Sequence, residues 1–224
     1  MKIWHIGDTH SYHNLLAVPN VDMVIHSGDF SNYKDVYKNE PEARDFLNWY
    51  ASLPIKNKIL IAGNHDALAC LWNTKFKELC KDLNIIYLEN DYVEIEGYKI
   101  WGSPYTPNIG DWHFMKNRSK LDKVWSKIPL YIDIIVTHTP PKTILDLSYN
   151  RFNELEFCGC SALKNRILKL NPILSCFGHI HNNKDIINSG TMKLSNIDTI
   201  FSNGSVLTDG KFGTLSSNGN IIEL

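Results

Sequence analysis

Short runs of apolar residues, each followed by a polar loop, recur along the chain. They are apolar at almost every position, which predicts strands buried on both faces rather than strands with one face in water. The six clearest runs cover residues 2–6, 23–27, 58–62, 99–101, 133–137 and 173–177.

Between some of these runs, apolar residues recur at helical spacing. The spacing predicts helices over residues 42–53, 66–83 and 160–170. Strands that alternate with helices are typical of a layered α/β fold, so we predict one α/β domain over residues 1–224. Segments 85–98 and 186–224 are expected to add antiparallel strands, in a mixed sheet or in two packed sheets. The pair Asn218-Gly219 is typical of a hairpin turn.

The composition excludes several classes of protein. The 224 residues are 43% hydrophobic and 21% charged, which is enough apolar material for a large core and excludes a disordered chain. Lys and Arg number 23 against 24 Asp and Glu, so there is no basic field for binding long nucleic acid. No apolar run approaches the roughly 20 residues of a membrane span, and we expect no membrane association.

The chain has five cysteines, an odd number that excludes a disulfide scaffold in a sequence of this length. Cys158 and Cys160 are too closely spaced for the usual zinc ribbon. We therefore expect reduced thiols and a cytoplasmic protein.

Polar residues of similar chemistry follow five of the predicted strands. Each stands just beyond the carboxyl end of a buried run, which is the edge of an open α/β sheet where ligands bind. Glycine precedes the polar group in four of the five, which allows tight turns and a close approach of the backbone. The candidate side chains are Asp8, His10, Asp29, Asn64, His138, His179 and His181.

Each motif alone is weak evidence, because Gly-Asp and Gly-Asn are ordinary turn sequences. The strongest is Gly178-His179-Ile180-His181, since alternate residues of an extended segment point the same way. The combination at one sheet edge is much more specific than any part of it.

Together these side chains offer carboxylate, amide and imidazole ligands without thiolate. This set favours Mn²⁺, with Fe or Zn²⁺ as alternatives, and has too much nitrogen for a dedicated Ca²⁺ site. Seven ligands exceed the needs of one tetrahedral ion and predict two divalent ions. Two ions roughly 3.5–4 Å apart polarise a phosphoryl oxygen and activate a water between them. A cleaved leader would remove Asp8 and His10, so we expect none.

The order of these motifs resembles the signature of the calcineurin-like metallophosphoesterase superfamily. It is most similar to the small metallophosphoesterase-domain proteins related to class III cyclic nucleotide phosphodiesterases, which include vertebrate brain forms. The resemblance covers residues 7–181 and includes segments 101–107 and 137–141. It implies a four-layer sandwich of two mixed sheets flanked by helices.

The resemblance also implies which residues bind metal. One ion would be held by Asp8, His10, Asp29 and His181. The other would be held by Asn64, His138, His179 and the same Asp29, which bridges the two.

His65 follows Asn64 too closely for both to ligate one ion easily, so we predict that it is the general acid for the leaving oxygen, oriented by Asp66.

No arginine follows the second or third motif to clamp a dianion, which favours a small phosphodiester, a cyclic or linear nucleotide, as substrate. Arg118 and Arg151 could supply a clamp from elsewhere in the chain. Three alternatives therefore stay open: a phosphomonoesterase, a nuclease of the same superfamily, and a metal-binding scaffold with little activity. The sequence does not indicate an oligomeric state.

One further segment has two interpretations. Residues 102–107, followed by Asp111, Trp112 and His113, either wall the substrate cleft or form a packed structural loop. His13 and His113 could reach the rim of the cleft, whereas we expect His5 and His26 to be structural.

Overall fold

The structure is a computed structural model that describes residues 1–183, 185–195, 197–210 and 213–224. None of the helices in these ranges is long and apolar enough to cross a bilayer. The helices are α1 (Val36–Ser52), α2 (Ala67–Leu71), α3 (Asn73–Asp82), α4 (Arg118–Trp125) and α5 (Ser161–Leu170), with a 3₁₀ turn over His13–Leu15. The strands are β1 (Lys2–Ile6), β2 (Met23–His26), β3 (Asn57–Leu60), β4 (Ile86–Tyr87), β5 (Asp91–Ile95), β6 (Tyr98–Ser103), β7 (Thr106–Pro107), β8 (Met115–Lys116), β9 (Ile134–Thr137), β10 (Leu147–Tyr149), β11 (Leu155–Phe157), β12 (Leu174–Phe177), β13 (Gly190–Lys193), β14 (Ile200–Asn203) and β15 (Asn220–Glu223).

Two large mixed sheets contain most of these strands. The first has the order β15-β1-β2-β3-β4, and the second has the order β13-β14-β12-β9-β6-β5. The central strands of both are parallel, and antiparallel neighbours stand only at the edges, as β15, β13 and β5. The carboxyl ends of β1, β2, β3, β9 and β12 therefore carry the loops with the candidate ligands.

Alternation along the strands assigns each apolar side chain to a layer. Ile3 of β1 and Ile134 of β9 pack in the core between the two sheets. Trp4 faces the side chains of α1 and α3 instead, and Ile135 faces those of α4 and α5. This alternation produces four layers, helix, sheet, sheet and helix, and confirms the α/β sandwich expected from the sequence.

The six predicted strands are confirmed within two residues at each end. The single helix predicted over residues 66–83 is wrong, because the chain leaves the helical conformation at Trp72 and divides into α2 and α3. The Asn73 side chain donates to the Ala69 carbonyl at 2.8 Å and so occupies the acceptor that the Asn73 backbone N–H would use in a continuous helix. Helix α1 begins earlier than predicted, because Asp35 caps it by accepting two backbone N–H groups. Helix α4 was not predicted at all.

The hairpin predicted at Asn218-Gly219 is also wrong. Strand β15, which follows this pair, is hydrogen-bonded to β1 rather than to the preceding segment. The Asn218 side chain accepts from the Ala17 N–H and donates to the Ala17 carbonyl, both at 2.7 Å, and thereby ties the turn to a distant loop.

The two sheets meet at their carboxyl edge. Gly7, just after β1, forms a β-bridge with Ser205, just after β14, and its N–H donates to the Gly204 carbonyl at 2.8 Å. Between the sheets, the buried ring of His5 contacts the hydroxyls of Ser202 at 2.7 Å and Ser27 at 3.2 Å. These contacts fix the position of the loops of one sheet against those of the other.

On the opposite face of the first sheet, His26 supports the first ligand loop. It accepts the Gly28 N–H at Nδ1, 3.2 Å away, so Nε2 carries the proton that it shares with the Thr9 hydroxyl at 3.0 Å. Burial lowers the pKa of both His5 and His26 to about 3. Both histidines are therefore neutral structural residues at physiological pH, as the sequence predicted.

The neutral state of His26 predicts how stability depends on pH. An unfolded histidine takes up a proton near pH 6.5, whereas folded His26 does so only near pH 3, so the free energy of unfolding falls as the pH drops between these values. His26→Gln should reduce this slope by about 1.4 kcal/mol per pH unit between pH 6 and pH 4. Urea unfolding at several pH values measures the slope separately from any constant loss of stability. Equal slopes in wild type and variant would contradict the assignment.

Candidate metal centre

The strand-end loops bring six of the seven predicted ligands into two adjoining clusters. Within each cluster, the potential ligand atoms lie within 4.8 Å of one another. The first cluster consists of Asp8, His10 and His181, and the second consists of Asp29, His138 and His179. Asn64, the seventh, lies beside the second cluster, with its Oδ1 atom 3.0 Å from His138 Nε2.

Asp29 lies between the clusters. Its Oδ2 atom is 3.2 Å from Nε2 of His138 in the second cluster and 3.9 Å from Nε2 of His10 in the first. The other oxygen, Oδ1, accepts the His65 backbone N–H at 2.7 Å. One carboxylate oxygen is thus within reach of ligands of both clusters, as a bridging ligand must be.

The imidazoles are oriented by backbone carbonyls. Nδ1 of His10 lies 3.0 Å from the Ser31 carbonyl, and Nδ1 of His138 lies 2.9 Å from the Ser27 carbonyl. A carbonyl can only accept, so Nδ1 is protonated in both rings and Nε2 is the atom left for a cation. Ligand histidines in metalloproteins are oriented by partners of this kind.

The electrostatics of the two clusters favour cations. Burial alone would raise the pKa of Asp29, but the imidazoles of His138 and His65 hold it well below its usual range. Burial likewise opposes ionisation of Asp8, yet the hydrogen bond and charge of His181 lower its pKa. Burial lowers the pKa of His10 to about 4, which leaves that ring neutral and able to ligate at pH 7.

The ligand loops are conformationally strained. Asp8, His10, Asp29 and His179 all have positive φ, between 40° and 70°, which is uncommon outside glycine. Such conformations cost about 1–3 kcal/mol each and persist only where the surrounding structure over-determines them, typically at functional sites.

Two glycines are required by the packing of the carboxylates. A Cβ atom on Gly178 would lie 2.2 Å from Asp8 Oδ2, and one on Gly63 would lie 2.3 Å from Asp29 Oδ1. These glycines allow the third and last motifs to approach the acidic ligands more closely than any other residue could.

The predicted role of Asp66 is wrong. Its carboxylate does not orient His65, but instead accepts the backbone N–H groups of Asp29, Phe30, Ser31 and Gly63 and the Ser31 hydroxyl, at 2.7–3.1 Å. Asp66 therefore holds the second and third motifs together. The His65 ring is oriented by the Asn32 carbonyl, 3.1 Å from Nδ1. Sequence proximity suggested the wrong partner, because the third motif turns sharply after Asn64.

Ser205 is a site residue that the sequence analysis missed. Its hydroxyl donates to Asp8 Oδ2 at 2.6 Å, and the same carboxylate accepts the His179 backbone N–H at 2.9 Å. The signal was available, because the run Ile200–Asn203 ends in Gly204 and Ser205 just as the other strands end in glycine and a polar residue.

The proline-rich segment is packed at its start and borders the candidate site at its end. Residues 102–104 are buried, whereas Trp112 is partly exposed and packs against His65 with 4.0 Å between ring centroids. The His113 N–H donates to the Asn64 carbonyl at 3.2 Å, so this residue does reach the site. His13 does not, because it is buried against Phe46 and Trp49.

The two arginines considered as phosphate clamps are engaged elsewhere. Arg118 donates to the carbonyls of Gly159 and Cys158, at 2.9 and 3.2 Å, and Arg151 stacks over the Phe152 ring. All five cysteines are free, as the sequence predicted.

The fold and the site together define an α/β sandwich protein with a candidate two-metal centre. Residues 1–183 match the family model described as calcineurin-like phosphoesterase, and the chain belongs to this family. The resemblance seen in the sequence is thereby confirmed.

Relatives and solved structures agree with this assignment. The chain is 31% identical over 226 residues to metallophosphoesterase domain-containing protein 1 of Homo sapiens and of Mus musculus, covering 91% of this chain and 65% of theirs. It is 34% identical to a UPF0046 protein of Caenorhabditis elegans, over 83% of this chain and 70% of the other. The phosphopantetheinyl hydrolase of Mycobacterium tuberculosis has a TM-score of 0.61 at 14% identity over 92% of this chain and 89% of that one, which shows likeness of fold alone. The protein TT1561 of Thermus thermophilus is similar in the same sense, with a TM-score of 0.59 at 12% identity over 90% and 88%.

The close contact at Gly178 predicts an effect on metal binding. Gly178→Ala should displace the Asp8 carboxylate, which Ser205 and the His179 N–H hold in place, and should lower the Mn²⁺ content by about one ion per chain. Gly110→Ala is the matched control, because its Cβ atom would have no neighbour nearer than 3.8 Å. Equilibrium dialysis followed by metal analysis measures the content, and equal Mn²⁺ in both variants would contradict this account of the site.

Proposed function

We propose that this protein hydrolyses phosphodiester bonds of small substrates, cyclic or linear nucleotides, with two divalent metal ions. One observation carries the proposal: two clusters of buried carboxylates and imidazoles adjoin at the shared Asp29. Membership of the calcineurin-like phosphoesterase family supports the same class of chemistry.

The donor atoms fit divalent cations of intermediate hardness. One ion would be held by Asp8, His10, His181 and Asp29, and the second by Asn64, His138, His179 and the same Asp29. Oxygen and imidazole ligands without thiolate favour Mn²⁺, with Fe or Zn²⁺ as alternatives. Bound ions of this type supply a Lewis acid for the phosphoryl oxygen and a nucleophile at neutral pH.

His65 is the residue best placed to act on the leaving group. Its Nδ1 atom is occupied by the Asn32 carbonyl, whereas Nε2 has no hydrogen-bond partner among the described residues. The ring packs edge-on against His10 at 4.7 Å between centroids, so it borders the first cluster without belonging to it. We assign the imidazolium form of His65 the donation of its Nε2 proton to the departing ester oxygen, after which the neutral ring keeps its Nδ1 proton on the Asn32 carbonyl.

The engagement of Arg118 and Arg151 by other groups supports a diester substrate. A diester carries one negative charge fewer than a monoester dianion, so it depends less on arginines, and Arg118 and Arg151 are engaged by other groups. The near-neutral composition argues against long nucleic acid as substrate. We further propose a cytoplasmic location, with which the five free thiols agree, and a single domain over residues 1–224.

The runner-up is a metal-binding scaffold with little activity. Erosion of one or more ligands would favour it, but the chain retains all seven predicted ligands, six in the two clusters and Asn64 beside the second. The chain spans only 65% of the length of the human and mouse relatives. The proposed activity therefore concerns this chain and not those longer proteins.

Hydrolysis of bis(p-nitrophenyl) phosphate in the presence of Mn²⁺ tests the proposal directly. We expect turnover that a chelator abolishes, and a kcat/KM at least tenfold higher than for p-nitrophenyl phosphate, because Arg118 and Arg151 are engaged elsewhere and do not clamp the dianion. Asp29→Asn should lower the rate by at least 10³-fold, since one ligand of both ions is lost. Asp91→Asn, on an edge strand, should not. Higher activity on the monoester would overturn the diester assignment, and stoichiometric Mn²⁺ without any turnover would favour the scaffold.

The role of His65 predicts dependence on the leaving group. His65→Ala should lower the rate by about 10²–10⁴-fold for an alkyl leaving group, which needs a proton, and much less for p-nitrophenolate. The Mn²⁺ content should be unchanged, because His65 borders the clusters without belonging to them. Loss of metal from the variant, or the same loss of rate for both leaving groups, would show that His65 is a structural residue.

A further inference from the structure

A cavity of about 390 Å³ adjoins the candidate metal centre. Trp112 connects the two, since it lines the cavity and also packs on His65, with 4.0 Å between ring centroids. The cavity is also lined by Asn73, Glu89, Tyr105, Phe114 and Met115. An ester substituent of a phosphate held at the metal centre therefore has a partly open cavity next to it.

The apolar part of the cavity is preformed. Tyr105 and Phe114 pack edge to face at 5.9 Å between centroids, and the Thr106 N–H donates to the Phe114 carbonyl at 3.0 Å. Near Trp112, the Lys34–Asp111 ion pair ties the segment to the loop after the second motif. A rigid aromatic wall of this kind suits a flat ring, because stacking then costs little further ordering.

The polar part of the cavity contains two acceptor atoms without a donor, beside two lysines: Lys77 next to Glu89, and Lys116, whose Nζ atom lies 4.3 Å from the centroid of the Tyr105 ring. Glu89 Oε2 accepts from the Asn73 amide at 2.6 Å and the Tyr87 hydroxyl at 3.3 Å, and lies 3.5 Å from Lys77 Nζ. Its second oxygen, Oε1, accepts no hydrogen bond from any described residue. The Asn73 Nδ2 atom is already used by Glu89 and the Ala69 carbonyl, which leaves the amide Oδ1 without a donor in the same part of the chain.

This arrangement separates two roles of Glu89. Oε2 has the partners expected of a structural carboxylate between β4 and α3. Oε1 belongs to a side chain that is only 19% exposed, and a carboxylate oxygen with restricted access to water gains most from a charged donor.

We propose that this cavity binds an aromatic group bearing a cationic or N–H-donating substituent, as one ester substituent of the substrate. The ring lies against Trp112, since Lys116 Nζ lies over the Tyr105 ring, and its donor reaches Glu89 and Asn73. That this group is part of the substrate rests on the proposed function, whereas the binding site itself does not. A substituent ending in a carboxylate or phosphate would be repelled by Glu89 and should be excluded.

Binding of small probes to the metal-free protein tests the site without any catalysis. Benzylamine, benzyl alcohol and benzoate share a ring and differ in the polar group. We expect benzylamine to bind at least tenfold more tightly than benzyl alcohol, to shift the NMR signal of the Trp112 indole, and benzoate not to bind. Glu89→Gln should remove the preference for the amine, Trp112→Leu should weaken both binding probes alike, and Asp91→Asn is the matched control.

Equal binding of the three probes, or an unmoved Trp112 signal, would overturn the proposal. The proposal would also be overturned if Asp91→Asn removed the preference for the amine as completely as Glu89→Gln does.

Kinetics then connect the site to the substrate. Two p-nitrophenyl phosphodiesters, one with a benzyl and one with a 4-(aminomethyl)benzyl second substituent, have the same leaving group. In the wild type we expect about a tenfold lower KM for the amine, with similar kcat for the two diesters, and in Glu89→Gln no difference in KM between them. Amine binding without hydrolysis of either diester would contradict the proposed function and keep the site. Equal hydrolysis of both diesters without amine binding would contradict the site and keep the function.

Discussion

The candidate centre depends on one buried carboxylate, that of Asp29, placed between two groups of imidazoles. Its Oδ2 atom lies 3.2 Å from His138 Nε2 and 3.9 Å from His10 Nε2. Because Asp29 is buried, little water can solvate its negative charge. A buried charge of this kind is costly unless donors or cations compensate it. The His65 N–H and the neighbouring imidazoles provide part of the compensation, and divalent ions would provide the rest. The same carboxylate, which its neighbours hold ionised, therefore gives the site a high affinity for cations.

Much of the surrounding structure serves to hold that carboxylate in place. Asp66 gathers the N–H groups on either side of Asp29 and Gly63, so the second and third motifs move as one unit. The bridge between Gly7 and Ser205 joins the two sheets where their loops converge. These contacts stabilise the positive φ angles of the ligand residues, which an isolated loop would not keep.

The sequence predicted the strands and their polar ends well, because both are local properties. A continuous apolar run followed by glycine and a metal-binding side chain can be recognised from the sequence alone. The order of the five polar strand ends identified the family. It predicted poorly what depends on contacts distant in sequence. The break at Trp72, the pairing of β15 with β1 and the true partners of Asp66 all arise from such contacts. The assignment of ligands to two ions came from the resemblance, and the geometry agrees with it.

Electron paramagnetic resonance of the protein loaded with Mn²⁺ measures whether two cations share the carboxylate of Asp29. We expect two Mn²⁺ per chain and the spectrum of an exchange-coupled pair, which Asp29→Asn converts into that of isolated ions. A six-line spectrum of uncoupled Mn²⁺ at full occupancy in the wild-type protein would contradict it.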